Sequence, residues 1–180
     1  MCGRLIAIVG PSGSGKDTLM SELKNRVKAH FPRRFITRQP FPNDERYMHV
    51  TQDEFLKLLE NNQLAFHWSA HGLNYGIPKN IDQFLSDGAD VIFNCSRAAL
   101  NNISQNCNNL EIILVAVSPN ILRNRLILRG RESIEEINLR MSRKIVPMPE
   151  RAITIDNSKS IEEGLNNLIT AINPQMKTPQ

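Results

Sequence analysis

The chain has 180 residues, 41% hydrophobic and 22% charged, which suits one soluble globular domain able to enclose a core without disulfides or metals. No stretch reaches the roughly 18 apolar residues that span a bilayer, Met1 to Val9 is too short for a signal peptide, and Cys2, Cys95 and Cys107 lack C-x-x-C spacing, so the expectation is a cytoplasmic protein with reduced thiols and no membrane partner. The net charge of +4 is uneven: Arg123, Arg125, Arg129, Arg131, Arg140, Arg143, Lys144 and Arg151 crowd one stretch that needs an anion, and since no aromatic residue follows Asn94, a small phosphorylated ligand is favoured there over nucleic acid.

Arg4 to Val9 is a short apolar, β-branched run stopped by Gly10, and Leu19, Met20, Leu23 and Val27 then recur at helical spacing. The order is strand, glycine loop, helix. A second strand is expected at Arg34 to Thr37, after Pro32, and Gln39 to Asp44 reads as loop because its two prolines cannot hold a ladder. Thr51-x-x-Glu54 is a capping box that starts a helix burying Phe55, Leu58 and Leu59; Leu64 to Ala70 is extended, and Gly72 breaks it.

Ala89 to Asn94 and Glu111 to Val117 are continuous apolar runs, the pattern of parallel strands covered on both faces. Ser118-Pro119, Ser133-x-x-Glu136 and Ser160-x-x-Glu163 are helix starts, and Arg151 to Ile155 is a fifth strand. This alternation predicts an α/β fold: a parallel five-stranded core sheet with helices on both faces, and a ligand outside the C-terminal ends of the strands. No repeat or linker divides residues 1–180, so one domain is expected, with Pro174 to Gln180 as a frayed tail.

Gly10-Pro11-Ser12-Gly13-Ser14-Gly15-Lys16 follows the first strand and opens the first helix, the context that makes G-x-x-x-x-G-K a phosphate-binding loop. Backbone N–H groups of Gly13 to Lys16 can converge on one concavity, the helix N-terminus adds a positive dipole, and Lys16 adds a full charge. Polyphosphate binding follows. The next residue is Asp17, where such loops usually place a Ser or Thr hydroxyl on Mg²⁺, and Thr18 points about 100° away round the helix. Asp17 is either a carboxylate ligand of the metal or a helix N-terminal acid favoured by the dipole.

GPSGSGKDTL, ITRQP, EFLKLLENNQLAFHWSAHGLNYGIP, RLILRGRE and ITIDNS, in that order, resemble the guanylate-kinase-type P-loop kinases over nearly the whole length. Within that family the GKD loop, HWSAHGLNYG and the N-x-S-R segment at Asn94 to Arg97 resemble the branch that phosphorylates ribose 1,5-bisphosphate to phosphoribosyl diphosphate during phosphonate breakdown. The resemblance implies a P-loop kinase fold with ATP and Mg²⁺ as cofactors, a small sugar phosphate as partner, a substrate-binding insertion at about 38–79, and an arginine lid at about 118–147 pivoting on Gly130. It leaves the oligomeric state open.

The resemblance also distributes roles. The nucleotide falls to the loop residues 10–18 and to Asn157 on the adenine side; Lys16, Arg129 and Arg131 cover the transferring phosphoryl group. The acceptor falls to Arg38, Glu45, His71, Tyr75, Asn94 and Arg97. Guanine readout is weakened: no second arginine follows closely after Arg38, His67 stands where a guanine-reading glutamate would be, and Ile77 replaces a hydroxyl. His67, Ser69 and His71 alternate, so an extended segment puts them on one face, either for a sugar phosphate near Arg38, or as a metal pair for which no third ligand at suitable spacing is visible, or as satisfied structural residues. Ser96 either orients the sugar or caps a helix, and Tyr75 either reaches a phosphate or packs. The alternatives for the chain as a whole are a nucleoside monophosphate kinase and a non-catalytic interaction module of the same fold.

Overall fold

The computed structural model describes residues 2–40, 47–70, 72–107, 109–130, 132–142 and 147–174. The elements of the first half are β1 (Leu5–Val9), α1 (Lys16–Leu23), β2 (Arg34–Ile36), β3 (Tyr47–His49), α2 (Gln52–Glu60), β4 (Leu64–Ala70), β5 (Leu73–Pro78) and α3 (Ile81–Ser86). Those of the second half are β6 (Val91–Asn94), α4 (Arg97–Asn106), β7 (Leu110–Ala116), α5 (Pro119–Arg129), α6 (Ile134–Met141), β8 (Ile153–Asp156) and α7 (Ile161–Ile172). They form two compact units, Met1–Ala7 with Lys28–Leu110 and Ile8–Val27 with Glu111–Gln180.

Among the described residues the core sheet has four strands in the order β6-β1-β7-β8, where five are expected. The strand expected at Arg34 to Thr37 belongs elsewhere: β2 pairs in parallel with β3 and antiparallel with β5, inside a second sheet ordered β3-β2-β5-β4. The physical reason lies in its composition. A parallel core strand is covered on both faces and reads as continuous apolar sequence, as β1 does with every residue buried, whereas β2 is three residues long and carries the half-buried Arg34. Two strands of this second sheet, β3 and β5, and the helix α3 have no counterpart among the sequence expectations; β5 carries Asn74, Gly76 and Pro78, residue types that strands disfavour.

In the first unit the backbone N–H of Val91 donates to Arg4 at 2.8 Å, and Arg4 is fixed to Asp90 through its own N–H at 2.8 Å and its guanidinium at 2.5 Å. In the second unit β7 and β8 pair in parallel with Ile113 opposite Ile153 and Ala116 opposite Asp156. Helix α7 presents Leu165, Leu168 and Ile172 as its buried face, and α5 with α6 encloses a small core of Leu122, Leu126 and Ile137. The local signals hold: capping boxes form at Thr51, Ser133 and Ser160, and Pro119 opens α5. Helix α1 ends at Leu23, short of Val27, because Asn25 and Arg26 bond back three residues to Glu22 and Leu23 and tighten the chain into a turn.

Candidate functional site

The second unit holds the phosphate loop. Gly10 to Gly15 leave the end of β1, and Gly15 is the N-cap of α1 with no side-chain cap, so the helix start is left to an external acceptor. Gly13 and Gly15 have φ of 92° and 85°, a region that side chains other than glycine's adopt only under strain. Space is as restrictive as torsion. A Cβ at Gly15 would lie 2.6 Å from Nδ2 of Asn157, and one at Gly13 would lie 3.0 Å from both Leu122 and Leu126 of α5. The Lys16 ammonium arches back over the loop, donating to the carbonyls of Gly10 and Pro11 at 2.8 Å each and to Ser14 Oγ at 3.4 Å. Asp17 and Thr18, the next two residues of α1, are exposed.

The loop is held from beneath by a residue that the resemblance assigns to the nucleotide. Asn157, immediately after β8, is 4% exposed, and its Nδ2 donates to the Ser14 carbonyl at 2.7 Å. Its backbone N–H donates to Ala116 at the end of β7 at 2.8 Å, which ties the loop to two strand ends at once. The side-chain oxygen faces α7 at Gly164, where a Cβ would approach it to 2.0 Å. Asn157 is therefore a structural support of the loop in this conformation.

Helix α5 reaches the same loop. Arg125 and Arg129, one helical turn apart on one face, donate to the Ser14 carbonyl and to Ser12 Oγ, each at 3.4 Å. Gly130 ends α5 with φ 62° and ψ 26°, a left-handed cap followed by the start of α6 at Ile134. The crowding of positive charge is answered in part by a carboxylate: Glu132 lies 3.5 Å from Arg129 and forms an ion pair with Arg140. Sequence reasoning passed over Glu132, although it stands in the same RLILRGRE segment. Arg131, Arg143 and Lys144 lie outside the described residues.

The residues that the resemblance assigns to the acceptor fall in the first unit. Register puts Ile36 opposite Tyr75, and Tyr75 opposite Trp68, so these side chains share one face of the second sheet. Tyr75 stacks on Trp68 at 5.5 Å and 6°, and burial, reinforced by the nearby Tyr47, pushes its phenol above the usual range despite Arg34 and Arg38. Arg38 lies on the same face, its guanidinium carbon 5.1 Å from the centre of the Tyr47 ring. Tyr47, buried in β3, was missed because it follows a loop and shows no alternation of its own.

Asn94 closes β6, and its carbonyl accepts from Arg34 at 3.0 Å. Ser96 caps α4, accepting from Ala99 at 3.1 Å, and Arg97 begins that helix, half-buried. His67 and Ser69 alternate as expected but pair with Gly76 and Asn74, which places them on the face opposite Tyr75. Of the remaining expected residues, Glu45 and His71 lie outside the described residues.

The guanylate kinase family model matches residues 2–175. A ribose 1,5-bisphosphate phosphokinase PhnN of Azotobacter vinelandii is 41% identical over 177 residues, covering 96% of this chain and 97% of that protein. A protein of the same name from Brucella melitensis is 38% identical over 165 residues, covering 88% and 86%. Among solved structures, guanylate kinase from Anaplasma phagocytophilum matches with a TM-score of 0.71 over 98% of this chain and 88% of that one, at 20% identity, a likeness of fold.

Proposed function

The chain belongs to the guanylate kinase family, in the branch of the ribose 1,5-bisphosphate phosphokinases, and from that premise we propose that it transfers the γ-phosphoryl group of ATP to ribose 1,5-bisphosphate. The products are 5-phosphoribosyl 1-diphosphate and ADP. An oxygen of the 1-phosphate attacks the γ-phosphorus, a new P–O bond forms, and the bond from that phosphorus to the β,γ-bridging oxygen breaks, leaving its electrons on ADP. The attacking oxygen is already anionic, so the step needs no strong general base and no covalent intermediate. Catalysis is positioning and charge neutralisation.

The single observation that carries the donor half is the loop itself: two left-handed glycines, an uncapped helix start and a lysine ammonium arched over the loop carbonyls. On ATP binding Lys16 exchanges those carbonyls for the β,γ-phosphates. Arg129, reaching Ser12 on the loop, covers the transferring group, and Arg131 joins it in this reading. Asn157 serves the nucleotide by fixing the loop's shape.

Magnesium neutralises and orients the phosphates when bound. It is usually held by one or two carboxylates together with substrate phosphates and water, and the exposed carboxylate of Asp17, beside Lys16, fits that donor set. The acceptor is assigned to Arg38, Tyr75, Asn94 and Arg97 of the first unit, with Glu45 and His71 proposed on the resemblance alone. A phenol whose pKa is raised stays protonated at neutral pH, so Tyr75 can donate a hydrogen bond to a phosphate oxygen. We place this activity in the cytoplasm, in phosphonate breakdown; among the described residues no helix is long and apolar enough to cross a membrane.

The test is initial-rate ADP release with ribose 1,5-bisphosphate, ribose 5-phosphate, GMP and AMP as acceptors. The expected result is turnover with the bisphosphate at least about tenfold above every other acceptor, the discrimination a site built on a few charge-assisted contacts supports. Equal turnover with GMP returns the chain to nucleotide phosphorylation.

A further inference from the structure

Arg34 is a second arginine beside Arg38, four residues before it rather than after. Extended residues alternate in direction, so Arg34 and Ile36 point to one face of β2, and the chain returns to that face at Arg38. Register completes the cluster: Arg34 is paired with Tyr47, and Ile36 with both His49 and Tyr75. The guanidinium carbon of Arg34 lies 4.8 Å from the centre of the Tyr47 ring and that of Arg38 lies 5.1 Å from it, so one buried phenol ring supports two cations.

Arg34 is fixed by neutral groups. One terminal nitrogen donates to the Asn94 carbonyl at 3.0 Å and the other to the Tyr47 hydroxyl at 2.8 Å. Among the described residues no carboxylate meets it. A guanidinium has five N–H donors, and those two bonds leave donors over while locking the plane of the fork. The result is a preorganised positive charge, half-buried, close to a second one and to the phenol of Tyr75. A cation held in place and half-buried draws an anion more strongly than one free in water.

We propose that Arg34 is a specificity-determining residue of the acceptor site, holding one of the two phosphates of the sugar bisphosphate while Arg38 holds the other. This rests on the functional reading above. It also accounts for the absence of an arginine from Gln39 to Glu45: the second cation is carried by the strand. A nucleoside monophosphate offers one phosphate and a base, so it brings a phosphate to only one of the two arginines. An arginine fork also matches the O6/N7 edge of guanine, which makes GMP binding the competing explanation of Arg34.

The experiment compares wild type, Arg34→Gln, Arg34→Lys and Arg38→Gln. It measures KM for ribose 1,5-bisphosphate and for ATP, competitive inhibition by ribose 1-phosphate, ribose 5-phosphate and GMP, and thermal melting. Losing a charge-assisted contact is expected to raise KM for the bisphosphate by about 10- to 100-fold in Arg34→Gln, with KM for ATP unchanged within about twofold. Arg34→Gln should lose inhibition by one sugar monophosphate and Arg38→Gln by the other, with partial recovery in Arg34→Lys. Loss of the same monophosphate in both glutamine variants overturns the two-phosphate assignment. So does an equal loss toward ATP and acceptor with lowered melting, which is a framework role, or loss of GMP binding alone, which is base readout. Wild-type protein that converts GMP and not the bisphosphate overturns the functional reading itself, and this assignment with it; a wild type active on the bisphosphate with an indifferent Arg34→Gln overturns the assignment only.

Discussion

The side-chain amide of Asn157 donates to the carbonyl of Ser14 at 2.7 Å, across 143 positions of sequence, and both residues are buried. That bond joins the strand end after β8 to the middle of the phosphate loop. Deleting the amide leaves a buried carbonyl short of a donor, a loss of about 1–3 kcal/mol. Asn157→Ala is expected to raise KM for ATP by about tenfold and to lower the melting temperature, while KM for the acceptor moves little. Initial rates at varied ATP with calorimetric melting check this.

Gly164 gives a companion prediction. Replacing a helix-interior glycine with alanine ordinarily stabilises by about 1 kcal/mol. Here the new methyl would sit 2.0 Å from Oδ1 of Asn157, so Gly164→Ala is expected to destabilise and to weaken ATP binding. In the double variant Asn157→Ala with Gly164→Ala the methyl has room, and denaturant unfolding should show the two changes to be non-additive, with the double variant no less stable than Asn157→Ala alone.

On the proposed mechanism, Lys16→Ala takes a full charge away from the transferring phosphoryl group. The expected loss is about 10²-fold or more in kcat, with folding retained, read from steady-state rates and circular dichroism. A folded variant with near-normal kcat contradicts the role given to the loop.

Much of this half of the molecule is legible in the sequence, because its signals are local. A glycine loop between strand and helix, three capping boxes and a proline at a helix start each need only a few neighbouring residues, and each forms as expected. What the sequence hides depends on register. His67 and Ser69 do alternate, but only their pairing with Gly76 and Asn74 reveals that they face away from Tyr75. Tyr47, Arg34 and Arg38 meet through the pairing of β2 with β3, which no spacing along the chain announces. The count of core strands among the described residues differs for a related reason: the strand expected at Arg34 to Thr37 pairs into the second sheet, and its half-buried Arg34 argues against a strand covered on both faces. Likewise Asn157 reads as a ligand residue by resemblance, and its burial beneath the loop is a tertiary fact.

Asp17 is expected to set the magnesium requirement. Asp17→Ala should raise the Mg²⁺ concentration for half-maximal rate several-fold more than it raises KM for ATP, and Asp17→Ser should recover part of the difference. Magnesium titrations at fixed ATP check it; an unchanged requirement in the alanine variant leaves Asp17 as a helix-end acid.

Acid stability should report the Arg4–Asp90 pair. Burial alone would raise the Asp90 carboxyl, but hydrogen bonds from the Arg4 side chain and backbone, together with its charge, hold it below the ordinary carboxylate range. A depressed folded-state pKa stabilises fully above the unfolded value of 3.8 and is lost as pH falls through the lower folded value. Asp90→Asn is therefore expected to be less stable than wild type at pH 7, with the gap closing below about pH 4. Urea unfolding at a series of pH values measures it, and a gap that stays constant into acid removes the ion pair from the account.

The central claim is the identity of the acceptor, and one competition tests it most directly. Purified protein is given limiting ATP with equal concentrations of ribose 1,5-bisphosphate and GMP, and the phosphorus spectrum is followed until ATP is consumed. The account predicts that the new signals are those of a sugar 1-diphosphate and ADP, with GMP unchanged. GDP as the main product, with the bisphosphate untouched, would contradict it.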